Sequence, residues 1–502
     1  MAYESLAEFL EELEAEGDLA RIKTEVDPIL EVSEITDRIS KAHGPALLFE
    51  KVRGSRFPLA INVLGSERRM AKALGVKDLE EMAQRIGELV KPEVPEGFLD
   101  KLKMVPMLAR LGSIPPKIVR SGPCQENVQT GDQVDLSELP VIQCWPQDAG
   151  RFITFGQVFT RNPETGDRNV GMYRQQILSG NTTAMHWHPH HDGCQHFLLH
   201  QKAGSKMPLA ISLGGDPIYP YMATAPLPPG TDECLFAGFL RGRPVELVKC
   251  KSIDLEVPAS ADLVIEGYID PMEPLVTEGP FGDHTGFYSL ADQFPVFHVT
   301  ALTHRSNPIY PTTIVGKPPQ EDCYMGKATE RLFLPLVKLF IPEVVDYDLP
   351  WFGVFHNFAF VAIRKRYPQQ ARKVMSAIWG LGQMMFSKII VVVDEHVNVH
   401  DYQEVLFHVG SNVHPGRDVV FNQGPTDLLD HAAPVACVGH KMGIDATRKL
   451  PEEGHPREWP DEMLMSEPII ELVTRRWSEY GIGKDPGPVG KRFHASYLSG
   501  GR

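Results

Sequence analysis

Cysteine is scarce in this chain and follows no pattern. The seven residues, Cys124, Cys144, Cys194, Cys234, Cys250, Cys323 and Cys437, are odd in number and contain no C-x-x-C pair. That excludes a disulfide framework and a zinc ribbon, and it reads as reduced cytosolic thiols. No run of 18 apolar residues occurs, so no membrane-spanning helix is expected. The opening MAYESLAEFLEELEAEG is acidic and lacks the apolar core of a signal peptide. Basic charge is in deficit: 50 Lys and Arg stand against 65 Asp and Glu, a net charge of −15. A nucleic-acid surface would need a basic stripe, and none is present. Walker A, G-x-G-x-x-G and G-x-S-x-G motifs are missing, which argues against a P-loop, an ordinary dinucleotide site and a serine hydrolase.

What remains is an ordinary globular composition, 42% hydrophobic and 23% charged over 502 residues, enough for two or three domains. Residues 1 to about 110 alternate helical patterns (5–16, 30–42, 68–90) with short apolar runs at 46–49 and 59–63. A proline-bearing stretch at 113–123 marks a boundary. From about 125 to 315 the pattern changes to short strands: a hairpin over 152–178, then 245–250, 255–257, 263–270 and 296–304. Strands of this kind suggest a barrel or curved sheet whose mouth holds a ligand. A helix over 320–340 follows, then strand 355–363, helix 369–387, strand 388–393 and helix 400–409, the alternation of a second α/β domain. One more amphipathic helix is predicted at about 466–480.

The chemistry gathers in a few segments. Thr-Glu-Gly-Pro-Phe-Gly-Asp-His-Thr-Gly-Phe-Tyr (277–288) sets Glu278 and Asp283 five residues apart across Gly and Pro, so no helix runs through it. Two acids fixed close together can differ in pKa, which separates a proton donor from a base. Alone, such a loop is a polar turn. Asn169-Val-Gly-Met-Tyr-Arg174 places Asn169 and Arg174 an odd number apart, on opposite faces of an ideal strand unless Gly171 introduces a bulge. An arginine there can hold a carboxylate through two parallel hydrogen bonds. His186-Trp-His-Pro-His-His191, with Asp192, is dense enough in imidazole for a divalent metal or a phosphate, and Pro189 rules out the helix of an H-E-x-x-H protease. A set of Asn, His and Glu suits a hard ion such as Mn²⁺ better than zinc. Thr231-Asp-Glu-Cys234 precedes a helical run and reads first as a helix start. Gly439 to Lys449 reads as a cationic surface loop able to meet an anionic group.

Together these segments resemble the UbiD-like decarboxylase family. The resemblance rests on NVGMYR (169–174), MHWHPHHDG (185–193), DECLFAGFLRG (232–242), VKCKSIDLEVPASADLVIEGYI (248–269), EGPFGDHTGFY (278–288) and HKMGIDATRK (440–449), in family order over nearly the whole chain. It implies an α/β (α+β) fold: an N-terminal α/β region (1–115), a split β-barrel flavin-binding domain (116–318), a linker helix (319–341), a C-terminal α/β oligomerisation domain (342–490) and a tail (491–502). It also implies prenylated FMN, supplied by a companion flavin prenyltransferase, with Mn²⁺ and a monovalent cation, K⁺ or Na⁺. By resemblance Asn169, Glu233 and a histidine, His190 with His191 as rival, are the metal ligands. Asn169, Met172, Tyr173, Arg174, His186, Trp187, His188, His191, Asp192, Glu233 and Lys441 fall on cofactor-contacting positions. Arg174, Glu278 and Asp283 form the catalytic set, with Asp where other branches carry Glu. The implied reaction is non-oxidative decarboxylation of an aromatic acid by a cytoplasmic homo-oligomer, dimer or hexamer. The closest branch acts on 4-hydroxy-3-polyprenylbenzoate in ubiquinone synthesis, and a prenylated substrate would draw the enzyme to the inner-membrane surface. A naphthoic acid of the alternative menaquinone route, or another phenolic or heteroaromatic acid, is the alternative substrate. From other classes, a metal-dependent hydrolase built on the His cluster and a non-catalytic flavin-binding protein remain as rivals.

Overall fold

The computed structural model describes residues 2–90, 114–228, 230–463, 465–485 and 487. The predicted 491–502 tail lies outside them, as does most of the segment before Ile114. The chain divides into two compact units, Met1–Leu332 and Phe333–Arg502.

In the first unit, helix Leu6–Ala15 buries Leu6, Phe9, Leu10 and Leu13, the predicted apolar stripe, and Ser5 accepts the Glu8 N–H at its start. The predicted 68–90 helix is two helices, Glu67–Ala73 and Leu79–Val90, separated by a turn at Gly75, whose φ is +67°. The small sheet beside them runs Leu19–Ile22, Ala46–Phe49, Leu59–Ile61, Tyr310–Pro311. Its last strand returns from far along the chain and pairs parallel to Leu59–Ile61.

Between those strands lies a nine-stranded sheet, curled into a half-barrel and antiparallel at every pairing. Its order is Phe152–Ile153, Gln175–Ile177, Thr182–Met185, Val296–His304, Leu263–Ile269, Met207–Leu213, Gln157–Arg161, Arg168–Met172, with Asn127–Thr130 also on Val296–His304. Val158, Leu209, Ile211, Ile265, Phe297 and Leu302 pack one buried core. Two short hairpins, Val276–Glu278 with Asp292–Phe294 and Phe281–Gly282 with Tyr288–Ser289, carry the Glu278–Asp283 segment. The long helix Glu321–Phe340 contains the boundary between the units.

The second unit is a five-stranded sheet, Val344–Asp348, Phe358–Ile363, Ile389–Asp394, Val438–Asp445, Val419–Pro425, parallel in the middle and antiparallel at both edges. Alternate residues feed two cores. Ala359, Val361 and Ile363 meet helix Gln370–Trp379, whereas Phe360 and Ala362 pack with Val405 of helix Tyr402–Asn412. The predicted 369–387 helix stops at Trp379, with a single 3₁₀ turn at Gly382–Phe386. The cationic surface loop predicted at 439–449 is corrected: most of it is strand Val438–Asp445, with Lys441 buried. Among the described residues no helix is long and apolar enough to cross a membrane.

Candidate active site

Arg174 is the hub. Strand Arg168–Met172 pairs in regular register with Gln157–Arg161, so Gly171 introduces no bulge. The strand ends at Met172, and strand alternation no longer governs position 174. That is how Asn169 and Arg174 are both buried despite their odd spacing. Gly171 has another use, because a Cβ there would lie 2.2 Å from the Tyr173 ring.

The Arg174 guanidinium grips Glu278 with two bonds, Nε to Oε1 at 2.8 Å and Nη2 to Oε2 at 3.2 Å. Nη1 donates to Asp283 Oδ2 and Nη2 to Ser289 Oγ at 2.9 Å. Its face rests on the Phe281 ring, 4.6 Å from the centroid. Glu278 is fully buried, and Arg174 and Asp283 nearly so. One cation thus serves two carboxylates in a dry setting. Burial alone would raise both carboxyls; the guanidinium overrides it for Asp283, and His186 and the guanidinium override it for Glu278, so each sits below its ordinary range.

The loop that aims these acids is pinned on several sides. Gly279 N–H donates to Gln176 Oε1 at 2.9 Å and Gly282 N–H to Asp148 Oδ1 at 2.7 Å. The other Asp148 oxygen accepts the Cys144 and Trp145 N–H groups. A Cβ at position 282 would lie 2.1 Å from the Trp145 indole, so only glycine lets the loop pass. Asp148, Gln176, Trp145 and Ser289 are positioning residues that sequence reasoning missed. Ser289 stands one residue beyond the 278–288 motif; no motif carries the other three.

A relay of imidazoles runs away from Glu278. His186 Nδ1 is 3.0 Å from Glu278 Oε2, and His186 Nε2 is 3.1 Å from His188 Nε2. Burial pushes His186 and His188 down, so both are neutral. His186 then donates from Nδ1 to Glu278, and His188 donates from Nε2 to His186. His191 stacks on His188 with ring centroids 4.7 Å apart, and burial pushes it down to about 3.

A second cluster surrounds the buried Tyr173, with the Asn169 side chain beside its hydroxyl. Its ring meets Trp187 edge-on and tilts against His191. Glu233, on the first turn of helix Glu233–Arg241, accepts the Val170 N–H at 2.9 Å, while Asp232 caps that helix. Met172 closes the strand half-buried, and Asp192 opens helix Asp192–Ala203 at the surface. Lys441 lies in the second unit, where its Nζ donates to the Met385 carbonyl.

Family models for 3-octaprenyl-4-hydroxybenzoate carboxy-lyase match in order: its N-terminal domain at 10–89, its Rift-related domain at 117–318 and its C-terminal domain at 323–446. The chain belongs to the UbiD family. It is a carboxy-lyase of that family. Among solved structures it is similar to the vanillic acid decarboxylase of Sedimentibacter hydroxybenzoicus in closed form: TM-score 0.85, 30% identity, 96% of this chain and 100% of that one. It is also similar to an evolved dimeric form of the UbiD-class enzyme HmfF from Pelotomaculum thermopropionicum, in complex with prFMN. There the TM-score is 0.75 and the identity 29%, over 93% of this chain and 98% of that one. An uncharacterized protein of Aquifex aeolicus is 53% identical over 96% of this chain and 99% of its own length. Within this UbiD enzyme, the Arg174 triad and the Tyr173 cluster both lie in the residues matched by the Rift-related domain.

Proposed function

We propose that this chain removes CO₂ from a hydroxylated aromatic carboxylic acid with prenylated FMN as cofactor. The observation that carries the reading is one buried guanidinium shared by two buried carboxylates, Glu278 and Asp283. The similarity to a vanillic acid decarboxylase and the Asp at 283 support a ring hydroxyl on the substrate.

The Tyr173 cluster suits a phosphate held through a cation. Asn169 Nδ2 and Trp187 Nε1 are buried donors without a partner. Burial pushes the Glu233 carboxyl up to about 8, the mark of an acid that awaits a positive neighbour. Asn169, Glu233 and His190 would hold Mn²⁺, with K⁺ or Na⁺ nearby. His190 is preferred to His191 on tautomer grounds. The His188 backbone N–H already donates to His191 Nδ1 at 3.1 Å. Metal on His191 Nε2 would put a proton on that same Nδ1, facing another donor. Met172, Tyr173, His186, Trp187, His188, His191 and Asp192 complete the proposed cofactor contacts within the first unit. Glu233→Gln is expected to abolish the tightly bound Mn²⁺ while leaving the fold intact, read as metal content per chain beside a circular dichroism spectrum. Unchanged Mn²⁺ content would remove Glu233 from the set.

When bound, prenylated FMN supplies an electron sink for the charge left as the C–CO₂ bond breaks. The residues do the remainder. Arg174 offers its guanidinium to the substrate carboxylate, which competes with Asp283 for it. Once that cation is drawn away, burial dominates and Asp283 takes up a proton. Glu278, held by His186 as well, stays ionised and keeps Arg174 in place. CO₂ departs, and Asp283 returns one proton to the ring carbon, so the acid is replaced by ArH and CO₂ with charge balanced.

The test is co-expression with a flavin prenyltransferase, followed by the visible spectrum and CO₂ release from a panel. The panel contains vanillate, 4-hydroxybenzoate with and without a prenyl chain, a dihydroxybenzoate and a hydroxynaphthoate. A flavin spectrum with CO₂ from a phenolic acid is expected. A colourless protein hydrolysing esters with metal alone would overturn the reading, as would flavin uptake with no CO₂ from any acid. The net charge of −15 works against an anionic membrane surface, so soluble phenolic acids are expected to outperform the prenylated one.

A further inference from the structure

A third group of donors lies in the second unit, outside everything assigned above. His396 follows strand Ile389–Asp394, His408 sits on helix Tyr402–Asn412, and Glu462 comes from the segment beyond the sheet. One ligand atom from each lies within 4.8 Å of the others. His396 Nε2 is 3.6 Å from Glu462 Oε2, too long for a good hydrogen bond. The two imidazoles meet edge to face, 5.8 Å between centroids. Three donors therefore converge within 4.8 Å of one another, and the His396–Glu462 separation of 3.6 Å is close to the edge of about 3.3 Å that a tetrahedron with 2.0–2.1 Å metal bonds would have.

We propose that His396, His408 and Glu462 form a divalent-metal site, suited to Zn²⁺, that clasps the 455–463 segment to the end of the sheet. Two imidazoles and one carboxylate are a zinc-type set, softer than the oxygen-rich environment Mn²⁺ or Mg²⁺ selects. Three protein ligands leave a fourth position for water or an anion. The location fits as well. Strand Ile389–Asp394 is parallel to both neighbours, and its carboxyl end is where open α/β sheets place ligands. Asp394 faces both imidazoles electrostatically while accepting the Arg448 N–H at 2.7 Å, and it adds negative charge beside the ion. Lys365 and Lys449, the nearby cations, are engaged by Glu453 and Asp445. Arg448 also approaches Asp461 at 3.7 Å, and His455 packs on Trp459, so the segment already has a path to the site.

The test uses the full chain, stripped with chelator and titrated with Zn²⁺, then with Co²⁺ as a coloured substitute. His396→Ala and Glu462→Gln touch half-exposed side chains and leave the fold in place. Each is expected to lose one Zn²⁺ equivalent per chain, with affinity at that site falling by more than the 10–100-fold that outer-shell changes cost. Tetrahedral Co²⁺ bands should disappear in both variants and persist in His190→Ala, which separates this site from the His188–His190–His191 group. Zn²⁺ should also slow proteolysis within 455–463 in the parent and not in Glu462→Gln. Equal Zn²⁺ stoichiometry and equal Co²⁺ spectra in parent and both variants would overturn the proposal. Decarboxylation plays no part in these readouts, so this inference and the proposed activity fail independently.

Discussion

Asp283→Asn is expected to slow CO₂ release by about 10²–10⁴-fold, the range for loss of a positioned general acid, with flavin content unchanged. The substitution keeps size and shape, and its one amide oxygen can still accept from Arg174, which bonds Asp283 Oδ2, while the His284 N–H bond to Oδ1 is given up. What disappears is the ability to take up a proton and deliver it to the ring carbon. The loss should therefore fall on kcat, with little change in KM. Single-turnover rates beside the visible spectrum check this. If Asp283→Asn turns over within a few-fold of the parent, Asp283 is not the donor, and Glu278→Gln becomes the variant to measure.

Arg174→Met is expected to be the most damaging single change, removing activity and lowering stability together. It leaves Glu278 and Asp283 buried with no cation between them. Breaking a buried ion pair by deleting one partner costs about 3–5 kcal/mol, because the surviving charge stays desolvated. The carboxyls respond by taking up protons, so the variant should recover part of its stability as pH falls. The parent behaves oppositely: carboxyls held low favour the fold above their unfolded pKa, and that contribution is lost as pH falls through the folded values. Arg174→Lys keeps the charge but loses the two-pronged grip on Glu278, and should lie between the two. Melting temperatures from about pH 8 down to about pH 2 for the three proteins measure the effect. Equal pH slopes for parent and Arg174→Met would show that the guanidinium is not what holds these acids ionised.

Much of this arrangement can be read from residues alone, for reasons that differ by segment. Helix Leu6–Ala15 and strand Val296–His304 are legible because a local period survives there: helical apolar spacing in the first, a nearly unbroken β-rich run in the second. The acid pair is legible because Gly and Pro forbid a helix between Glu278 and Asp283. Strand Val438–Asp445 is hidden because one of its inward positions is Lys441, which looks like a surface residue when alternation is read by side-chain type. Tyr310–Pro311 is two residues long, too short to show any period, yet it completes a sheet. Asp148 and Gln176 escape because their work is done by hydrogen bonds to backbone 134 and 103 positions away, where sequence carries no trace.

That two-residue strand has a bearing on how the protein comes to exist. Leu59–Ile61 leaves the ribosome early, but its outer partner, Tyr310–Pro311, follows only after the whole half-barrel has been made. At a synthesis rate of about 5–20 residues per second, the wait is roughly ten to fifty seconds. Through that interval the Leu59 strand is a growing chain's open edge, the kind of surface that pairs with strangers. The exposed edge thus outlasts the synthesis of the active-site segments, which all precede Tyr310, and a chaperone that shields it would act on synthesis yield without touching the mature enzyme.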